Sequence, residues 1–386
     1  MLGELWRWLV AICDYRAWWR ILTGQPVVDV VFISNLRDEA ERQRFFGRWR
    51  PASGHANGPR VYHNGVAARV RGIDVTAEEL MTREGRRKAQ AHFISACEWA
   101  EKRGARVVLL AASTKRLFGR DGRTLKAHFP NLLFTIGDNG TANMLWRDIE
   151  RAMNKAGLNK RSRVLVIGPY GILGEAATDR LIAAGHEVVG YGGNVSALAE
   201  IKQQYGIEVG TQIRGLGKVD AVIACTHSQT AKLTPACIES LRRPGRKLLV
   251  VDVAEPANLD IDTHAKVREL VVRQDAGNAF GKRLHYVLGP LAWSKLMLSR
   301  GVVFGCFAEA IALYQAIHKR GERHLMRFDW FSVNPLHMEL ASLALEKASI
   351  DLPHPCCFGE KVDSFDLSMH AVFSDPPTRP TPQVAA

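Results

Sequence analysis

A chain of 386 residues is long enough for two or three folding units at about 150 residues each, which excludes a peptide or a lone small module. Hydrophobic residues at 47%, charged residues at 24% and aromatics at 8% fit a folded globular protein and exclude disordered, collagenous and disulfide-scaffold classes. Lys and Arg outnumber Asp and Glu by 52 to 39, a net +13 that favours acidic partners such as nucleic acid, anionic lipid or an acidic carrier protein.

Residues 1–24 carry Trp6, Trp8, Trp18 and Trp19 interleaved with Glu4, Arg7, Asp14, Arg16 and Arg20. Leu2, Trp6, Leu9, Val10 and Cys13 recur at helical spacing, which predicts an amphipathic N-terminal helix. It is too charged to span a bilayer and has no clean signal-peptide pattern. Two seats suit it: a lipid interface touched peripherally at the inner face of the membrane, or the protein's own surface.

Residues 25–159 read as a mixed α/β lobe. The run VVDVVFI from Val27 predicts a strand ended by Ser34 and Asn35, and residues 51–60, PASGHANGPR, read as loop. A helix is expected through REGRRKAQAHFISACEWAEKRG, then the strand RVVLLAA, a loop around Ser113, Thr114 and Lys115, and a helix opening at Asp138 to Thr141 and ending before Gly157.

Residues 160–303 carry the strongest pattern. The strand Val164 to Ile167 leads into Gly168-Pro-Tyr-Gly171-Ile-Leu-Gly174, the helix EAATDRLIAAG and a second strand EVVG. That order predicts a Rossmann-type dinucleotide domain: Gly168 for the tight turn, Gly171 for approach to the pyrophosphate, Gly174 for close helix packing, and a helix N-terminus for the phosphates. The spacing is G-x-x-G-x-x-G, and Pro169 removes a backbone donor. Further strands begin at Ala221 and Lys247; the first ends at Thr226, His227 and Ser228, which predicts these on the nicotinamide side or as a helix cap. After the second strand come Gly192, Gly193 and Asn194, with neither a carboxylate for a ribose hydroxyl nor an Arg for a 2′-phosphate. Asn194 and Thr226 complete the candidate cofactor set, and NADPH is favoured with NAD left open. Residues 304–373 read as a C-terminal helical segment, and the Pro-rich 374–386 as a disordered tail.

Seven scattered cysteines without C-x-x-C pairing predict reduced thiols, a cytoplasmic setting and no metal centre. Cys306 follows Gly305 and opens the apolar run FAEAIALYQAI, so it falls in a first helical turn, where the helix dipole lowers a thiol's pKa. The pattern alone equally describes a buried structural thiol. Glu309, three residues on, reads as an anion stabilising the helix start, with proton transfer as the alternative. His285 and His318 are acid–base candidates by type only, and Cys356 and Cys357 are incidental.

Three ordered segments resemble the aldehyde-forming long-chain fatty acyl-carrier-protein reductases: Phe134-Thr-Ile-Gly-Asp-Asn-Gly-Thr-Ala142, the turn Gly168 to Gly174, and Gly305-Cys-Phe-Ala-Glu-Ala310. The likeness runs over residues 28 to 350. It implies NADPH on Gly168, Gly171 and Gly174, Cys306 as the acyl-accepting thiol, residues 25–159 as the acyl-binding lobe, and an acyl carrier protein or acyl-CoA as donor, with no nucleic acid. The chain departs from the family where a basic residue is replaced by Gly192 and Gly193, and where Pro169 and Tyr170 replace small residues.

Thr114 joins the cleft candidates, while Thr135, Asp138, Asn139 and Thr141 read both as caps of the following helix and as cleft residues. The basic cluster Arg83, Arg86, Arg87 and Lys88 is a solvated helix face that an acidic carrier could use. The expected architecture is therefore α/β: a doubly wound Rossmann-type nucleotide domain, a mixed α/β N-terminal lobe, and C-terminal helices crossing the cleft. The expected activity is reduction of an acyl thioester to an aldehyde. Its rivals are a non-catalytic nucleotide-sensing module and a shikimate-dehydrogenase-like enzyme of small molecules, which has no need of Cys306.

Overall fold

A computed structural model describes residues 9, 13–46, 51–226, 228–286 and 298–369. Most of the first half of the expected N-terminal helix, His227 and the 374–386 tail lie outside the described residues.

The first lobe is built from α1 (Tyr15–Leu22), β1 (Val30–Leu36), α2 (Glu39–Phe46), β2 (His55–His63), β3 (Val66–Thr76), α3 (Arg83–Lys102), β4 (Val107–Leu110), α4 (Arg123–His128) and β5 (Leu133–Thr135). Strands β3, β1, β4 and β5 lie side by side and parallel, with β2 antiparallel outside β3. The continuous apolar runs of β1 and β4 follow from burial on both faces. Val30, Phe32, Val107 and Leu109 enter one core, and Val31, Ile33, Val108 and Leu110 the other.

Two local expectations need correction. Residues 55–60 are not loop but the start of β2, because Pro59 falls inside a register shift between Asn57 and Arg60, where no ladder donor is required. Strand β1 also runs through Ser34 and Asn35. Asn35 bonds the Leu36 carbonyl at 2.8 Å, and the register shifts between Ser34 and Leu36.

Helix α5 (Asp138–Lys155) joins the lobes. Its distal residues Leu145, Ile149, Ala152 and Met153 pack on the second sheet. That sheet comprises β6 (Arg163–Ile167), β7 (Glu187–Tyr191), β8 (Glu208–Gly210), β9 (Ala221–Ala224), β10 (Leu248–Asp252) and β11 (Val271–Asp275). It is interleaved with α6 (Ile172–Ala183), α7 (Val195–Tyr205), α8 (Pro235–Leu241) and α9 (Ile261–Val267). The strand order β11-β10-β9-β6-β7-β8, parallel throughout, is the doubly wound α/β order with its switch point between β6 and β9.

After β11 the chain returns to the first lobe through β12 (Asn278–Phe280), β13 (His285–Tyr286), β14 (Val302–Phe304), α10 (Gly305–Tyr314) and α11 (Pro335–Lys347). The return starts well before residue 304: β13 pairs with β2 at the edge of the first sheet, and β12 pairs with β14. Strands of two and three residues are too short for a periodic sequence signal.

Helix α1 sits polar side down. Buried Arg20 donates to Asp29 at 2.7 Å and to the carbonyls of Pro26 and Gly65 at 2.6 and 3.1 Å, and Asp14 accepts from Tyr62 at 3.0 Å. Tyr15, Trp18, Trp19 and Leu22 are exposed instead. Among the described residues no helix is long and apolar enough to cross a membrane.

Candidate active site

The glycine turn follows β6 at the switch point. Gly168 has φ of +81°, a conformation that a side chain strains. A Cβ on Gly174 would lie 2.0 Å from the Gly168 carbonyl oxygen, so α6 can seat against the turn only without one. A Cβ on Gly171 would meet nothing nearer than 3.4 Å. That open side, beside the unpaired first amides of α6, is a cradle that a side chain would fill and a pyrophosphate can use. Gly168 thus makes the tight turn and Gly174 the close helix packing, while Gly171 leaves its side open. Thr226 borders the turn: a Cβ on Gly168 would lie 2.9 Å from the Thr226 Cβ. Asn194 caps α7, accepting from Ala197 N–H at 3.2 Å.

The second group gathers at the start of α5. Cys306 occupies the first turn of α10, and Gly137, which precedes α5, sits so close that a Cβ there would lie 2.3 Å from the Cys306 Cβ. The helix start is tied to the end of the nucleotide sheet by Gly305 N–H, which donates to the Gly277 carbonyl at 2.9 Å. Gly277 in turn packs on Val253 and Thr141.

Glu309 is fully buried and accepts from the Thr135 hydroxyl and the Gly140 N–H, both at 2.5 Å. Its carboxyl thus caps α5 from a different helix, one turn along α10 from Cys306. Burial pushes its pKa up to about 7, against the pull of the two hydrogen bonds.

Lys115 pairs with buried Asp138. Burial works against the ammonium, but Asp138, Cys306 and Glu309 more than offset it, and its pKa lies above the ordinary value. Cys306 is half-buried. Burial pushes its thiol up to about 11, although the Lys115 ammonium pulls the other way. Desolvation wins over the favourable helix start, so the resting group is a thiol.

The capping expectation for the α5 start changes. Its N-cap is Gly137, which provides no side chain. Thr135 accepts the Gly137 N–H at 2.9 Å, Asp138 turns to Lys115, Asn139 donates to the Ser332 carbonyl at 3.0 Å, and Thr141 donates to the Gly137 carbonyl at 2.9 Å. Thr114 is fully buried and donates to the Ala111 carbonyl at 2.7 Å, a structural role one residue before Lys115. His285 stacks on Tyr62 at 5.5 Å and His318 lies 5.0 Å from the Tyr314 ring. Lys115, which belongs to no motif, joins this group from the loop after a buried strand, where such sheets put their chemistry.

No protein-family model matches the chain, and no curated protein matches it. Solved structures that the chain matches include L-tryptophan dehydrogenase from Nostoc punctiforme, at 13% identity over 84% of this chain and 89% of that one, TM-score 0.38. Shikimate 5-dehydrogenase from Thermus thermophilus matches at 14% identity over 55% of this chain and 62% of that one, TM-score 0.29. CAD from Helicobacter pylori, solved with NADP(H), matches at 16% identity over 35% of this chain and 38% of that one, TM-score 0.28. The last two alignments thus span less than two thirds of the matched chains.

Proposed function

We propose that this protein is an NADPH-dependent reductase that takes a fatty acyl group from a carrier-protein or coenzyme A thioester onto Cys306 and releases it as aldehyde. The observation that carries the reading is the placement of Cys306. It stands in the first turn of α10 beside the Lys115–Asp138 pair, and that helix start is tied to the end of the nucleotide sheet through the Gly305 N–H and the Gly277 carbonyl.

Attack of the Cys306 sulfur on the thioester carbonyl forms a new C–S bond as the thiol proton leaves, and collapse expels the carrier thiolate, which takes up a proton. NADPH, with its pyrophosphate on Gly168, Gly171 and Gly174, would supply the hydride that the acyl carbon needs. The hemithioacetal oxygen then forms its carbonyl as the C–S bond breaks, which frees aldehyde and restores the Cys306 thiol. The Lys115 ammonium, kept charged by Asp138, is suited to stabilise the oxyanion at both additions. Glu309 fixes the two helix starts against each other.

Exposed Arg83, Arg86 and Arg87 at the head of α3 fit an acidic carrier. The outward aromatic face of α1 fits peripheral contact with a membrane where an acyl product would partition. Intact-protein mass spectrometry after incubation with acyl thioester and no nicotinamide tests the reading. The expected result is one acyl mass on the parent and none on Cys306→Ala, which also makes no aldehyde. Aldehyde at the parental rate from Cys306→Ala overturns the covalent route.

The Lys115–Asp138 pair supports a second reading, a dehydrogenase of small hydroxy compounds in which Lys115 gives a proton to the nascent alkoxide. That enzyme would survive Cys306→Ala and fail with Lys115→Met.

A further inference from the structure

Tyr170 and the Gly192-Gly193 pair, which stand apart as oddities in the sequence, meet in space. Tyr170 rises from the glycine turn and lays its ring over the end of β7. A Cβ on Gly192 would lie 2.5 Å from the ring's Cε1 and 2.8 Å from its hydroxyl oxygen. The hydroxyl oxygen accepts the N–H of Gly193 at 3.2 Å and of Asn194 at 3.3 Å. The ring therefore fits only because residue 192 lacks a side chain.

The end of the second strand of a doubly wound sheet is where the adenosine ribose of a dinucleotide rests, its hydroxyls facing the residues just past that strand. Here the phenol fills that seat and occupies the two amides that would face the ribose. The contact is loose: Tyr170 is 36% exposed and both hydrogen bonds are long.

We propose that Tyr170 is a displaceable occupant of the ribose seat, whose outward swing is required for the nucleotide to bind and which thereby sets cofactor affinity. The proposal rests on the second lobe being a dinucleotide site. Only molecules with the ring swung out are competent, so the apparent dissociation constant is the intrinsic one divided by the open fraction. Removing the ring removes that penalty and frees both amides. The ring is carried by the same turn that cradles the pyrophosphate, so the two halves of the cofactor site are mechanically linked.

Calorimetric titration of 2′,5′-ADP and of 5′-ADP into the parent, Tyr170→Ala, Tyr170→Phe and Gly171→Val tests this without turnover. Tyr170→Ala is expected to bind both probes about tenfold or more tighter than the parent. Tyr170→Phe, which keeps the ring and loses the acceptor, should fall between. Equal or weaker binding by Tyr170→Ala overturns the proposal, because the ring would then be neutral or a stacking platform. Gly171→Val separates the two failures: if it binds as the parent does, the dinucleotide reading itself fails, whereas loss of binding leaves that reading standing whatever Tyr170 does. Nitration by tetranitromethane, mapped by peptide mass, gives a second readout. Tyr170 should become more reactive on saturation with 2′,5′-ADP, and protection would overturn the swing.

Discussion

The reactivity of Cys306 should record the contest between burial and its charged neighbours. With its thiol pushed up to about 11 against an ordinary 9.0, about one molecule in a thousand carries the thiolate at pH 8, roughly a hundredfold fewer than for an unperturbed cysteine. Iodoacetamide labelling, followed by mass spectrometry of the Cys306 peptide, should therefore accelerate about tenfold per pH unit between pH 7 and 10 without a plateau. Lys115 lowers the thiol's pKa and Glu309 raises it, so Lys115→Met should slow labelling at fixed pH and Glu309→Gln should quicken it. Each tenfold change in the thiolate fraction corresponds to about 1.4 kcal/mol in the thiol–thiolate balance. A plateau near pH 7, or faster labelling in Lys115→Met, would refute the view that desolvation dominates this sulfur. Acyl transfer would then start from a preformed thiolate.

Glu309 has a raised folded-state pKa, about 7 against an ordinary 4.5, so its contribution to stability is full below pH 4.5 and is lost as pH rises through 7. Urea unfolding should show that Glu309→Gln removes about 3 kcal/mol of this pH dependence relative to the parent, and parallel pH profiles would contradict it. The Cβ of Gly174→Ala would fall 2.0 Å from a backbone oxygen, at a cost of about 3 kcal/mol or more, whereas Gly171→Val should melt within a few degrees of the parent. Calorimetric melting that ranks them the other way would refute the assigned roles. Trp19→Glu with Leu22→Glu, both outward on α1, should cut sedimentation with anionic vesicles about tenfold or more, and equal sedimentation would rule out lipid contact there. Truncation is a poorer probe, because it strips Arg20 from buried Asp29.

The nucleotide lobe was legible because each of its signals is local. The strand at Val164, the turn from Gly168 to Gly174 and the helix after it are consecutive, and the need for glycine at 168 and 174 follows from covalent geometry. The cluster at Cys306 was half legible. Its position in a first helical turn could be read, but its thiol's high pKa could not, since burial by α5 and the first sheet is set by residues far away in the chain. The sequence suggests that Glu309 steadies its own helix, whereas it caps one that begins 171 residues earlier, at Asp138. Lys115 had no motif. Pro59 and the surrounding Gly, Asn and Pro residues gave a true turn signal at a place where a register shift absorbs them into β2.

Helix α5 has a practical consequence for anyone dissecting this protein. A cut between residues 159 and 160 looks natural, yet it would leave the nucleotide sheet without Leu145, Ile149, Ala152 and Met153. It would also remove Asp148, which accepts from Gln274 at 2.6 Å and from Gly277 N–H at 3.0 Å. Such a fragment would present a wet, bare apolar wall and two orphaned donors, and would be prone to self-association. The other piece would keep a helix whose distal half has nothing to cover. Lobe exchange with another enzyme must therefore carry α5 along with the sheet it shields, and the graft then brings its own first turn into the foreign active site.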